Sequence, residues 1–153
     1  MIRIATVGDI GSGKSYIAKL FNYPIFNADL EVAKIYKINR QCFKNLKKKL
    51  PKYFSSFPIQ KEEIIKAISD NETNLKKIIK IIHPEIRKKM NIFLKKNKKK
   101  NVVVLDIPLL LENKLNQKGD IVVFIQSKKI EVIKRLKKRN NFNLDLLNKF
   151  KRI

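Results

Sequence analysis

Cysteine occurs once in this chain, at Cys42, so no internal disulfide framework is available and the sequence suits a reducing compartment. Long apolar runs are missing as well. The most hydrophobic stretch, Val102 to Leu111, is interrupted by Asp106 and Pro108 and is too short to cross a bilayer. No apolar signal core precedes Ile2 to Val7, which reads directly as a strand. Together these features place the expected location in the cytoplasm, with no membrane partner. Acidic residues are few, 13 against 36 lysines and arginines, for a net charge of +23. Such a balance permits non-specific polyanion binding at low salt. Yet arginine, the residue preferred for bidentate phosphate and guanine contacts, is sparse. The lysines are scattered over helical faces (Lys47 to Lys49, Lys76, Lys77) or lie in the run Lys95 to Lys100. A solvated basic surface, in a composition rich in Lys, Asn and Ile, therefore stands beside a polyanion role as an explanation.

What is present is enough for one globular domain: 153 residues, 44% hydrophobic and 32% charged. Ile2 to Val7, Tyr23 to Asn27, Val102 to Asp106 and Ile121 to Ile125 read as strands. Helical spacing is predicted over Ser15 to Phe21, from Asp29 through Tyr36, and over Arg40 to Leu50, Lys61 to Ser69 and Glu72 to Ile82. A separate helix is expected to begin at Pro84, where the missing N–H costs little, and to run to about Lys96. Shorter helices are expected at Pro108 to Lys114, Lys129 to Lys138 and from Asp145 on. Strands alternating with helices imply βαβ units and a parallel sheet covered on both faces. The helical stretch between the second and third strands stands out as a substrate-covering subdomain.

Glycine is scarce too, four in the whole chain, and three of them fall together in Gly8-Asp9-Ile10-Gly11-Ser12-Gly13-Lys14-Ser15. The spacing matches G-x-x-x-x-G-K-[ST], between a predicted strand and a predicted helix, which is the context a phosphate-binding P-loop requires. Gly8, Gly11 and Gly13 let the backbone curl so that N–H groups from Gly8 to Tyr16, those of Ile10 and Ser12 included, can face phosphate oxygens. The helix beginning near Lys14 adds its positive end. Lys14 is expected at the β and γ phosphates of ATP, and the Ser15 hydroxyl on Mg²⁺. Asp106 closes the apolar strand Val102 to Leu105, where a carboxylate supports Mg²⁺ directly or through water; the alternative is an N-cap for the short helix that follows. Asp29 follows the second strand at the ligand-facing edge of the sheet. It is either a general base for an attacking hydroxyl or a plain helix N-cap.

Four blocks in order, Gly8 to Ser15, Asn27-Ala28-Asp29, His83-Pro84-Glu85-Ile86-Arg87 and Asp106-Ile107-Pro108-Leu109-Leu110-Leu111-Glu112, resemble dephospho-CoA kinase. The P-loop is shared by many NTPases, whereas the His-Pro-x-x-Arg and Asp-x-Pro-Leu-Leu-x-Glu blocks are much more specific. The resemblance implies an ATP-dependent kinase phosphorylating the ribose 3′-hydroxyl of dephospho-CoA, the last step of coenzyme A synthesis. It implies an α/β P-loop NTPase fold, three-layer α/β/α, with parallel strands in the order 2-3-1-4. The core would be 1–28 and 101–153, the helical substrate subdomain about 29–100, and a short lid would complete the domain. Asp29 matches the catalytic aspartate, and His83, Arg87, Asp106 and Leu110 fall on the substrate side. Arg135 and Arg139 fall where lid arginines are carried; Arg139, nearer the loop Asn140 to Asn143, is favoured as catalytic over a solvated basic face. The chain departs from the pattern at Asp9 (usually glycine), Asn27 (usually aspartate) and Lys34 (usually arginine). The resemblance also implies a further helix, inside which the sequence stops at Ile153, and a last strand with residues that help hold adenine, so a C-terminally truncated chain is expected. Their loss would open the edge of the fourth strand and lower ATP affinity. Other P-loop nucleoside or nucleotide kinases, a non-catalytic nucleotide binder and a basic nucleic-acid-binding relative are the alternatives.

Overall fold

The computed structural model describes residues 1–107 and 118–138. Four strands, β1 (Ile2–Val7), β2 (Ile25–Asn27), β3 (Val102–Asp106) and β4 (Ile121–Phe124), form one parallel sheet in the order β2-β3-β1-β4. This is the order and direction expected. The central strands are β-branched and apolar because they are covered on both sides: Ala5, Val103, Val104 and Leu105 have no exposed surface. β4 is an edge strand with Ile121 and Phe124 exposed, and β1 is its one partner among the described residues. The helices are α1 (Lys14–Leu20), α2 (Ala28–Ile38), α3 (Arg40–Lys49), α4 (Lys61–Asp70), α5 (Glu72–Lys96) and α6 (Lys129–Lys137). The expected helices at Pro108 to Lys114 and from Asp145 on lie outside the described residues.

Two compact units emerge. One contains Met1–Asp29 and the described residues from Met90 on; the other is Leu30–Lys89. In the first, α1 packs on β1, β2 and β3, and Phe93 from the last turns of α5 stacks tilted on Phe26 of β2, centroids 5.6 Å apart. In the second, Ile35, Cys42, Leu46 and Phe54 are almost fully enclosed. Asn39 caps α3 by accepting the Cys42 N–H at 2.9 Å, and its amide donates to Glu85 of α5.

Pro84 does not begin a helix, as expected from its sequence context, but lies inside α5. A proline there removes one backbone hydrogen bond and crowds the carbonyl four residues back, a cost of about 3 kcal/mol. The apolar stripe Leu75, Ile78, Ile82, Ile86, Met90 runs at helical spacing across the proline, and all five are buried. Burying a side chain of this kind is worth about 1.5–3 kcal/mol, so packing on both sides outweighs the local defect.

Candidate functional site

Register places the site. β3 aligns Asp106 with Thr6 of β1 on one side and with Asn27 of β2 on the other, while Thr6 also aligns with Val123 of β4. Residues opposite each other in a sheet share a face, so Asn27, Asp106 and Thr6 form a polar row where the strands end. Asp106 is 3% exposed. The Asn27 carboxamide donates to one of its oxygens at 2.6 Å, and the Thr6 hydroxyl approaches the other at 3.5 Å. A buried carboxylate needs such donors. An aspartate at 27 would instead set two acids against each other, which the amide avoids. Asp106 thus belongs to β3 and to this row.

Two residues past Thr6 the chain enters the glycine loop. Gly8, Gly11 and Gly13 have φ of 139°, 84° and 101°, values that side chains rarely adopt. Gly13 is the N-cap of α1. The Lys14 ammonium donates to the carbonyls of Gly8 at 2.8 Å and Asp9 at 2.7 Å, so the lysine lies along the loop rather than in solvent. Asp9 is exposed, and it holds the loop through its backbone, its carbonyl also accepting from the Ser12 N–H at 3.1 Å. Its carboxylate therefore need not enter an anion site. The Ser12 hydroxyl is buried without a hydrogen-bond partner, a cost of about 1–3 kcal/mol unless something fills the need. A phosphate oxygen is a suitable acceptor. Ser15 and Tyr16 are exposed at the start of α1, and Ile10 is half-buried.

β4 and α6 close against the loop from the other side. The Ile125 N–H donates to Val7 at 2.8 Å, the Ser127 hydroxyl donates to the Ser12 carbonyl at 2.7 Å, and Arg135 reaches the same carbonyl at 3.2 Å. Tyr16, Ile17, Ile125, Gln126, Ser127 and Arg135 line an open cleft of about 560 Å³ beside Ser12 and Gly13. Its lining mixes aromatic, apolar and polar groups beside the glycine loop, a combination suited to holding a small molecule.

Asp29 is exposed in the first turn of α2, which begins at Ala28. It is thus inside the helix and not its N-cap, because the strand passes into the helix directly after Asn27. Lys34 forms an exposed pair with Glu31 at 2.6 Å. His83 and Arg87 stand one turn apart on α5, in the Leu30–Lys89 unit. Burial, and then the neighbouring Arg87 cation, hold the His83 imidazole below its ordinary value near 6.5. The unfolded chain takes up that proton more readily. The contribution of His83 to stability is therefore present above pH 6.5 and is lost as pH falls through the folded value. His83 is the chain's one histidine, so its proton NMR titration is read without assignment. The midpoint is expected below 6.5, and Arg87→Ala should raise it. A midpoint at or above 6.5 in the unmodified protein contradicts this. Arg139 and Leu110, both expected at the site, lie outside the described residues, as does the loop Asn140 to Asn143.

A family model described as Dephospho-CoA kinase matches residues 2–150. The chain belongs to the dephospho-CoA kinase family. A dephospho-CoA kinase from Wolbachia sp. subsp. Brugia malayi (strain TRS) is 31% identical, the alignment covering 95% of this chain and 78% of that one. One from Bacillus anthracis is 29% identical, over 92% and 74%. The crystal structure of TT1252 from Thermus thermophilus shares the fold, with a TM-score of 0.74 at 22% identity, over 99% of this chain and 78% of that one. The family is one of ATP-dependent kinases. Three side chains to which no sequence motif gives a role, Thr6, Ser127 and the amide of Asn27, sit in the middle of this family member's candidate site. Only strand register and loop contacts bring them there; in sequence they are an ordinary threonine, serine and asparagine. Among the described residues no cluster of three or more metal-binding side chains occurs, and no helix is long and apolar enough to cross a membrane.

Proposed function

We propose that this chain transfers the γ-phosphate of ATP to the ribose 3′-hydroxyl of dephospho-CoA. The observation that carries the reading is the curled loop, with Lys14 drawn along it and an unpartnered Ser12 hydroxyl inside it, in a chain of this family. Backbone N–H groups of the loop, those of Gly8, Ile10, Gly11 and Gly13 among them, cradle the phosphates, whereas the Ser12 and Tyr16 N–H groups are taken by the Asp9 and Gly13 carbonyls at 3.1 and 3.0 Å; Lys14 neutralises charge on the transferring group. Ser15 and Asp106 would hold Mg²⁺; a hydroxyl and a carboxylate with water are a donor set such an ion accepts. When bound, the ion offsets the phosphate charge. Asp29 accepts the proton of the 3′-hydroxyl, His83, Arg87, Asp106 and Leu110 serve the acceptor, and Arg139 covers the transfer site. A lid is needed over the transfer site, because water there would hydrolyse ATP instead. The single cysteine and the absence of a long apolar run favour the cytoplasm, and the +23 charge is expected to act on polyanions only at low salt.

The deciding measurement is ADP release from ATP across a panel of acceptors. Dephospho-CoA should support turnover well above that with any nucleoside monophosphate. No dephospho-CoA-dependent release would overturn the assignment, and a preferred nucleoside monophosphate would replace it with nucleotide kinase activity.

A further inference from the structure

A phosphate cradle works only if its peptide planes face the right way, so whatever fixes the carbonyls of the loop also fixes its donors. The Ser12–Gly13 peptide is trans, which directs its C=O and the Gly13 N–H to opposite sides. Its carbonyl is held from outside by two donors. The Ser127 hydroxyl donates to it at 2.7 Å, and the Arg135 guanidinium at 3.2 Å, the latter also donating to the Ser127 oxygen at 3.2 Å. Ser127 thus gives its one proton to the loop and receives one from α6. The rest of the loop is packed closely against the same elements. A Cβ at Gly8 would meet the Ile125 carbonyl at 2.3 Å, and one at Gly11 would meet Leu136 and Val132 at 3.0 Å. The segment leaving β4 and the Val132–Leu136 face of α6 therefore form a wall against which the loop is set.

We propose that Ser127 is a positioning residue for nucleotide binding: by pinning the Ser12 carbonyl outward, with Arg135, it aims the Gly13 N–H into the phosphate site. Ser127 acts through the backbone of the loop and needs no contact with the nucleotide. The inference rests on the proposal that this loop binds nucleotide phosphates, but not on phosphoryl transfer or on the acceptor.

The two can be separated by equilibrium binding. Calorimetry with ATP and with inorganic tripolyphosphate should show Ser127→Ala about 10-fold weaker for both, the size expected when one hydrogen bond to a constrained carbonyl is removed. Ser127→Thr, which keeps the hydroxyl, should bind both as the unmodified protein does. The Ser12 carbonyl carbon resonance should shift in Ser127→Ala and stay in place in Ser127→Thr, a readout that needs no ligand. Unchanged ATP affinity in Ser127→Ala overturns the proposal, as does an unmoved Ser12 resonance. A loss seen with ATP but not with tripolyphosphate also overturns it, since Ser127 would then be touching the nucleoside. Tight ATP binding without any dephospho-CoA-dependent ADP release would sink the proposed function and leave this inference standing.

Discussion

Replacing Asp29 by asparagine is expected to lower dephospho-CoA-dependent ADP release by about 10²- to 10⁴-fold, the usual contribution of a positioned general base. The carboxamide has the same shape and cannot accept the proton of the attacking hydroxyl. Folding should barely register the change, because Asp29 is exposed in the first turn of α2. Loss of a negative charge from a helix's first turn costs about 0.3–1 kcal/mol. ATP affinity should stay within about twofold, since on the proposed assignment the phosphates are held by the loop and not by α2. Steady-state ADP release combined with calorimetric ATP binding separates these effects. A fully active Asp29→Asn protein would remove the residue from the mechanism, and a large loss of ATP binding would make it a nucleotide ligand instead.

Gly8→Ala should be the most damaging single-methyl change in the described residues. The φ of 139° is one that a side chain resists, and the new Cβ would lie 2.3 Å from the Ile125 carbonyl, a contact that real structures do not tolerate. Backbone strain of this type costs about 1–3 kcal/mol, and the clash adds to it because the obstacle is main chain. The Ile125 N–H already donates to Val7 at 2.8 Å, so moving Ile125 breaks the β1–β4 junction. Unfolding in urea should show a loss of about 3 kcal/mol or more, and ATP binding should disappear even at temperatures where the protein remains folded. Gly119→Ala is the control: its φ is 92°, but nothing lies within 4 Å of the added carbon, so strain acts alone and ATP affinity should hold. Equal losses for the two variants would show that the close approach of Ile125 is unimportant.

Much of this was legible in the chain. The strand–loop–helix around Gly8 to Ser15 is determined by residues within a few positions of each other, since an apolar β-branched run, a glycine cluster and a lysine–serine pair each have a local effect. The apolar run ending at Asp106 announced both a buried strand and an acid at its end. Helices α3, α4 and α6 fall within a residue or so of their expected ends. Pro84 lies inside α5 rather than at a helix start because local rules for proline do not include the five buried residues that carry the helix through it. Asp29 lies within α2 and does not cap it for a related reason, since the strand pairing of Asn27 sets where the helix starts.

The sequence by itself determined that the chain has a glycine loop of the G-x-x-x-x-G-K-[ST] pattern, which acid closes the third strand, and which family's blocks it carries. These are properties of short segments, where residue type and spacing act directly on the backbone. Only the tertiary structure decided what surrounds them. Asn27 and Asp106 are 79 positions apart, and Ser127 and Ser12 are 115 apart. Parallel strands meet only after long crossovers, and one residue of slip would turn each partner to the other face of the sheet. The amide that steadies Asp106 and the hydroxyl that pins the Ser12 carbonyl are consequences of that register, which no local pattern in the chain could express.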